Sequence, residues 1–380
     1  MAKKPTRSQT TISEEEYSEH ESSRTHEQIR RAHEDRSRER RKLTKKPERQ
    51  TNARSLSPTP LLEGEENVGR IIATEGAFFV LRLEDGSEVR AKTYKGTRTG
   101  NPNATLVAVG DEVRVTINEP GHSMIEEVVT RRTKLSRHAA GRRDAFEQVV
   151  VANVDVLVIV ASVGEPKLRS GIIDRYVVAG LEGGLEVVIA INKIDLASPE
   201  EMDEALYYRD LYREIGHTVV LVSAEEGTGM APLKEAIEGK TSVFAGHSGV
   251  GKSSLVNAVI GREVARAGIL QKKFRRGAHT TASSTLIEVD GMPGTFIADT
   301  PGVREFSNYE LDSHNLKFAF HEFLRFANQC AITNCSHIHE PGCAVREAVE
   351  DDKIAIERYA SYEKLFEEAK RSEVKRLEKK

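Results

Sequence analysis

A chain of 380 residues is long enough for two or three domains, and 38 % hydrophobic with 30 % charged residues suggests a soluble protein carrying some unfolded polar sequence. A formal net charge of −3 excludes a global pull toward nucleic acid, so any such contact must come from local patches. No apolar run approaches the roughly 20 residues that span a bilayer, and the opening MAKKPTRSQT has no secretory core, so a cytoplasmic protein away from membranes is expected.

Residues 1–65 are Glu, Arg, Lys, Ser and Thr with few apolar positions, too little to offset the entropy of ordering, and read as a disordered charged tail. Residues 66–135 change texture. Arg70–Ala73, Phe78–Leu83, Glu88–Ala91, Glu112–Val115 and Met124–Val129 are five short strand candidates, with Asp85-Gly86 and Gly110-Asp111 supplying turns. Five such strands predict a small closed barrel of the oligonucleotide-binding (OB) type. Lys92, Lys95, Arg98, Arg131, Arg132, Lys134 and Arg137 gather at its connections and exit, either as RNA-phosphate contacts or as a solvated loop and linker.

Residues 140–308 alternate strands and helices in a doubly wound α/β layout. Val154–Val160 is a continuous apolar strand, as in a parallel sheet covered on both faces. A helix over Ile172–Leu181, a strand over Val187–Ile191, a helix over Pro199–Glu214 and a strand over Val219–Val222 follow. A helix over Met230–Ile237 leads to a strand over Thr241–Ala245, and Thr295–Ala298 is the last strand. In residues 309–380, Leu316–Asn328 and Lys353–Lys380 read as helices, with Phe318, Phe320, Phe323 and Phe326 as core rather than an RNA-stacking surface.

Gly246-His247-Ser248-Gly249-Val250-Gly251-Lys252-Ser253 fits G-x-x-x-x-G-K-S between an apolar strand and a helix that begins near Ser254. The glycines let backbone N–H groups wrap phosphates, Lys252 reaches the β- and γ-phosphates, and Ser253 suits Mg²⁺. Asn192-Lys193-Ile194-Asp195 supplies guanine specificity. The aspartate accepts from N1 and N2 of guanine, and adenine would leave that carboxylate unpaired. A backbone N–H at Ser223-Ala224 can donate to guanine O6, and Asp299-Thr300-Pro301-Gly302 matches D-x-x-G. The order along the chain is N-K-x-D, S-A, P-loop, D-x-x-G, a circular permutation of the usual P-loop GTPase order. A P-loop kinase or ATPase is disfavoured by N-K-x-D.

All three cysteines lie in Cys330-x4-Cys335-x-His337-x5-Cys343, a donor set for a closed, structural Cys3His zinc site, with His339 an alternative fourth ligand by spacing.

Permuted order, GHSGVGKS, the segment Gly277-Ala278-His279-Thr280-Thr281, a preceding barrel and a trailing Cys/His cluster resemble the ribosome small-subunit-dependent GTPase A family. The usual family switch I reads G-R-H-T-T-T; here Ala278 and Ala282 replace the flanking residues, which removes a basic contact at Ala278. The resemblance implies a GTPase acting late in maturation of the small (30S) ribosomal subunit, binding GTP/GDP with Mg²⁺ on Ser253 and Thr281. It also implies contact with the subunit's rRNA, one structural zinc on Cys330, Cys335, His337 and Cys343, and His279 as the water-positioning residue beside Lys252 and Thr281. A monomer is expected. Val303 stands where many GTPases place Gln, so hydrolysis should be slow until a partner stimulates it. The alternative is a GTP-gated RNA-binding scaffold whose hydrolysis is incidental.

Overall fold

Inward apolar residues on five strands close the first part of the structure into a barrel. The computed structural model describes residues 65–101, 104–117, 123–138, 147–262, 284–300 and 313–378, all within the unit Leu62–Lys380. The tail expected over residues 1–65 falls outside them except for its last residue, Glu65, which opens the first strand. Strands β1 (Glu65–Glu75), β2 (Phe78–Leu83), β3 (Glu88–Arg98), β4 (Glu112–Ile117) and β5 (Ser123–Val128) run in the order β1-β2-β3-β5-β4, and β4 returns to β1. All neighbours are antiparallel except β3 and β5, which are parallel. Ile71, Leu81, Ala91, Val113, Val115 and Ile125 fill the interior. A register shift between Ile71 and Ala73 marks a bulge in β1, just past the Glu65–Arg70 stretch that pairs with β4.

After the barrel, β6 (Lys134–His138) and β7 (Glu147–Ala152) form a separate antiparallel pair where sequence suggested a linker. Several of the basic residues read as possible phosphate contacts have partners inside the fold. Arg131 is nearly buried, its Nε 2.7 Å from Asp111 Oδ1 and its guanidinium also on the Thr105 carbonyl at 2.9 Å. Lys134 pairs with Glu147, and Arg98 with Glu127.

Next come β8 (Val156–Ser162), α1 (Ser170–Glu182), β9 (Glu186–Asn192), α2 (Pro199–Glu214), β10 (Thr218–Leu221), α3 (Met230–Ile237), β11 (Thr241–Ala245), α4 (Lys252–Ile260), β12 (Thr285–Glu288) and β13 (Phe296–Asp299). Their sheet order is β10-β9-β8-β11-β13-β12, parallel except for β12, which is antiparallel to β13. Every residue of β8 is buried, since helices cover both faces of this layer. Helix α2 starts where it does because Ser198 caps it. The Ser198 hydroxyl accepts from Glu201 N–H at 3.2 Å, the Glu201 carboxylate accepts from Ser198 N–H at 2.9 Å, and Pro199 has no N–H to satisfy. Strand β12 had no counterpart in the sequence reading. It pairs with β1 at Ala73↔Thr285, so barrel and α/β layer share one continuous sheet.

The helix expected over 316–328 is instead a broken run: 3-10 turns at Leu316–Ala319 and His321–Phe323, then one α turn at Leu324–Ala327. Phe320 interrupts it with ψ 82°, outside the helical range, and its ring is buried. Phe320 and Phe323 are core and Phe326 packs against it, whereas Phe318 is 56 % exposed. Two helices complete the chain, α5 (Ala344–Glu350) and α6 (Ile356–Glu378). Helix α1 lies between the two parts: Ile173 and Val177 pack into the core shared with the sheet, and Val178 packs into the C-terminal core. There Arg358 of α6, 1 % exposed, donates to Glu322 at 2.7 Å and to Asp174 of α1. Burial pushes the Asp174 carboxyl above its ordinary pKa, and Arg358 pulls the other way.

Candidate nucleotide and metal sites

Strand β11 ends at Ala245, and the loop Gly246–Gly251 carries the chain into α4. Gly251 is the N-cap of α4 at φ 87°. It has no side chain to satisfy the first N–H groups of the helix, which leaves them and the positive dipole end facing an incoming anion. A Cβ at Gly251 would stand 2.4 Å from Asn192 Nδ2, and one at Gly246 2.2 Å from the Val160 carbonyl oxygen, so neither position tolerates a side chain. Lys252 Nζ donates to the carbonyls of Gly246 at 2.7 Å and His247 at 2.6 Å, which holds the ammonium against the loop. His247, Ser248, Gly249, Ser253 and Ser254 are exposed, while Val250 is buried beneath them.

Asn192, the last residue of β9, is 1 % exposed and joins three loops. Its Nδ2 donates to the Val250 carbonyl at 3.0 Å, and its Oδ1 accepts from Ala224 N–H at 3.2 Å. The Ala224 N–H, expected to serve a guanine oxygen, is thus directed at Asn192 here. Ser223 is buried and builds the turn: its Oγ accepts from Glu226 N–H at 3.0 Å and its own N–H donates to Thr228 O at 2.9 Å. Lys193 has φ 66° and donates to the Glu165 carbonyl at 2.8 Å, a tether no sequence motif marked. Asp195 follows, half-buried, in the 3-10 turn Ile194–Leu196. Asp299 ends β13, in register with Thr285, and the buried Thr300 hydroxyl has no partner among the described residues. Gly277, Ala278, His279, Thr280, Thr281, Ala282, Pro301, Gly302 and Val303 lie outside the described residues.

The ligand atoms of Cys330, Cys335, His337 and Cys343 all fall within 4.8 Å of one another. His337 Nδ1 is 3.6 Å from Cys330 Sγ and 3.4 Å from Cys343 Sγ. His339, the alternative by spacing, is exposed and outside the group. His337 reaches inward because its backbone takes φ 63°, and Tyr359 of α6 donates to its carbonyl at 2.7 Å. Glu340 draws the loop together by accepting from the N–H groups of Ser336 at 2.7 Å, Ile338 at 3.2 Å and His339 at 3.3 Å. Burial pushes the Cys335 thiol up to about 12, and the neighbouring Cys343 and Cys330 add to the rise. Three thiols and an imidazole gathered this tightly fit a dication, whose charge would reverse that rise and hold the sulfurs as thiolates.

Residues 128–309 match the RsgA GTPase family model. The chain is 41 % identical over 301 residues to the small ribosomal subunit biogenesis GTPase RsgA of Chlorobaculum tepidum, covering 77 % of this chain and 95 % of that protein. With the small ribosomal subunit biogenesis GTPase RsgA 2 of Bacteroides thetaiotaomicron it shares 34 % identity, covering 79 % and 96 %. The crystal structure of YjeQ from Thermotoga maritima superposes with a TM-score of 0.65 at 31 % identity, covering 80 % of this chain and 99 % of that one. YloQ, described as a circularly permuted GTPase, shares the fold at a TM-score of 0.62 and 24 % identity, covering 81 % and 96 %.

Proposed function

The chain belongs to the RsgA GTPase family, and from that membership we propose that it hydrolyses GTP to GDP and phosphate as a switch in maturation of the small ribosomal subunit. Asn192 is the observation that carries the guanine-nucleotide reading, since one buried amide ties the N-K-x-D loop, the Ser223-Ala224 loop and the phosphate loop into a single unit. Asp195 reads the base, the Lys193 stem packs on it, and the backbone of Gly246, His247, Ser248, Gly249, Val250 and Gly251 receives the phosphates, with Ser254 next in the helix. Lys252 neutralises charge as the terminal phosphoryl group leaves.

Ser253, Thr281 and, through water, Asp299 are the residues that would hold Mg²⁺, which when bound offsets charge on the phosphates. Gly302 meets the γ-phosphate through its N–H. His279 orients the attacking water, as the family resemblance implies, and the Val303 side chain has no polar atom with which to do so. Stimulation by the small subunit and its rRNA, action as a monomer and a cytoplasmic location complete the proposal. The relatives' names, which concern biogenesis of the small ribosomal subunit, support the part that involves the subunit. Cys330, Cys335, His337 and Cys343 would hold one zinc, with a structural role because four protein ligands leave no open position. The domain limits proposed are a barrel over 66–135, the GTPase over 140–308 and the zinc domain over 309–380.

GTP turnover measured with small subunits, large subunits and neither tests this reading, with Asp195→Asn alongside. Stimulation by small subunits alone and loss of the preference for GTP over ATP in the variant are expected. Turnover indifferent to subunits points to the GTP-gated RNA-binding scaffold, and an unchanged preference in the variant removes Asp195 from base recognition.

A further inference from the structure

One cross-strand row runs from the barrel to the D-x-x-G aspartate. Ala73 of β1 pairs with Thr285 of β12, and Thr285 pairs with Asp299 of β13. On the other side of β13 the register with β11 ends at Val243↔Ala298, one residue before Asp299. Asp299 is thus joined through Thr285 of β12 to Ala73 of the barrel, while β12 and β13 pair along their whole length. Thr74 of β1 makes two bonds to Ser284, the residue before β12. Its N–H donates to the Ser284 carbonyl at 3.1 Å, and its Oγ1 accepts from Ser284 N–H at 3.2 Å. At the far end of β12, Arg82 of β2 donates to Glu288 at 2.7 Å. Phe296, the first residue of β13, lies within reach of two barrel guanidiniums, Arg70 at 5.4 Å and Arg82 at 5.7 Å from the ring centre. Barrel side chains thus hold both ends of the β12–β13 hairpin.

We propose that Thr74 is a positioning residue for Asp299: through Ser284 and the Thr285 row, the barrel sets where the D-x-x-G carboxylate stands. The physical reason is tolerance. A carboxylate that must meet a hydrated cation beside a phosphate loses efficiency when displaced by a fraction of an ångström, and Asp299 is the last residue of its strand, one past the end of the register with β11. The Thr74 hydroxyl supports that position by accepting from Ser284 N–H next to the Ala73↔Thr285 pair, so deleting it weakens the pairing there. The inference rests on the GTPase reading above.

Thr74→Val tests it by keeping the branched shape while deleting the acceptor, and Thr74→Ser restores the acceptor. The readouts are GTP turnover, affinity for a non-hydrolysable GTP analogue with Mg²⁺, affinity for GDP in chelator, and amide hydrogen exchange of residues 284–288. For Thr74→Val, turnover and analogue affinity should each fall by about three- to tenfold, the loss of one hydrogen bond. GDP affinity in chelator should stay unchanged, exchange over 284–288 should quicken, and Thr74→Ser should match the unsubstituted protein. Turnover and affinities unchanged in Thr74→Val overturn the proposal. So does an equal loss for analogue and GDP that Ser does not rescue, because that pattern marks general destabilisation. If the unsubstituted chain binds no guanine nucleotide, it is the GTPase reading that fails instead.

Discussion

Replacing Arg358 by methionine leaves a stem of similar length against the rings of Phe320 and Tyr212, whose centres lie 4.4 and 5.5 Å from its guanidinium carbon. It removes the cation between Asp174, 0 % exposed, and Glu322, 7 % exposed. Breaking a buried pair from one side costs about 3–5 kcal/mol, because the remaining carboxylate keeps its desolvation penalty and loses its compensation. At about 2–4 °C per kcal/mol, the transition that melts the α1–α6 contact should drop by about 6–20 °C. The pH dependence has a definite sign. Burial raises the Asp174 carboxyl while Arg358 opposes the rise, so its loss raises that carboxyl further. A folded-state pKa above the unfolded value favours the folded form as pH falls, so the deficit of Arg358→Met should narrow from about pH 8 to about pH 5.5. Adding Asp174→Asn and Glu322→Gln to Arg358→Met should recover most of the loss. Differential scanning calorimetry across that pH range is the assay. Melting within about 2 °C of the unsubstituted protein at about pH 8, or a deficit constant with pH, would refute the reasoning.

Gly251→Ala should lower affinity for GTP and GDP alike by more than about tenfold, because its Cβ meets Asn192 Nδ2 at 2.4 Å and the φ of 87° disfavours any side chain; fluorescent-nucleotide titration reads it out. Metal analysis should find one zinc per chain in protein purified without chelator. A strong chelator or Cys343→Ser should speed hydrogen exchange over residues 330–369 and leave barrel strands β1–β5 unchanged; a metal-free protein with slow exchange there would count against the site.

What was legible from the residues follows physical lines. The apolar runs of β8, β9 and β11 announce themselves because strands buried on both faces need no polar positions. Helices α2 and α3 and strand β11 match their expected limits, with Ser198, Pro199 and Glu201 marking the start of α2. Strand β12 carries little signal because Thr285–Glu288 is only four residues long, and its link to β1 reaches more than two hundred positions back. The spacing of Phe320, Phe323 and Phe326 imitates one face of a helix, yet burying Phe320 forces its backbone out of the helical range. Arg131 finds its partner Asp111 20 positions away, and Arg358 and Asp174 meet across 184 positions, so neither pairing shows in local sequence. Spacing left His337 and His339 equivalent; the positive φ of His337 and its bond from Tyr359 separate them.

Strand β11 lies between β8 and β13, although β8, β9 and β10 precede it in the chain. During synthesis the three-stranded piece that carries Asn192 leaves the exit tunnel first, with the backbone groups along one side of β8 still without a neighbour. Until Thr241–Ala245 follows, that side is a ready template for a foreign strand. A pause in synthesis after Leu221 has emerged and before Ala245 has would prolong the hazard.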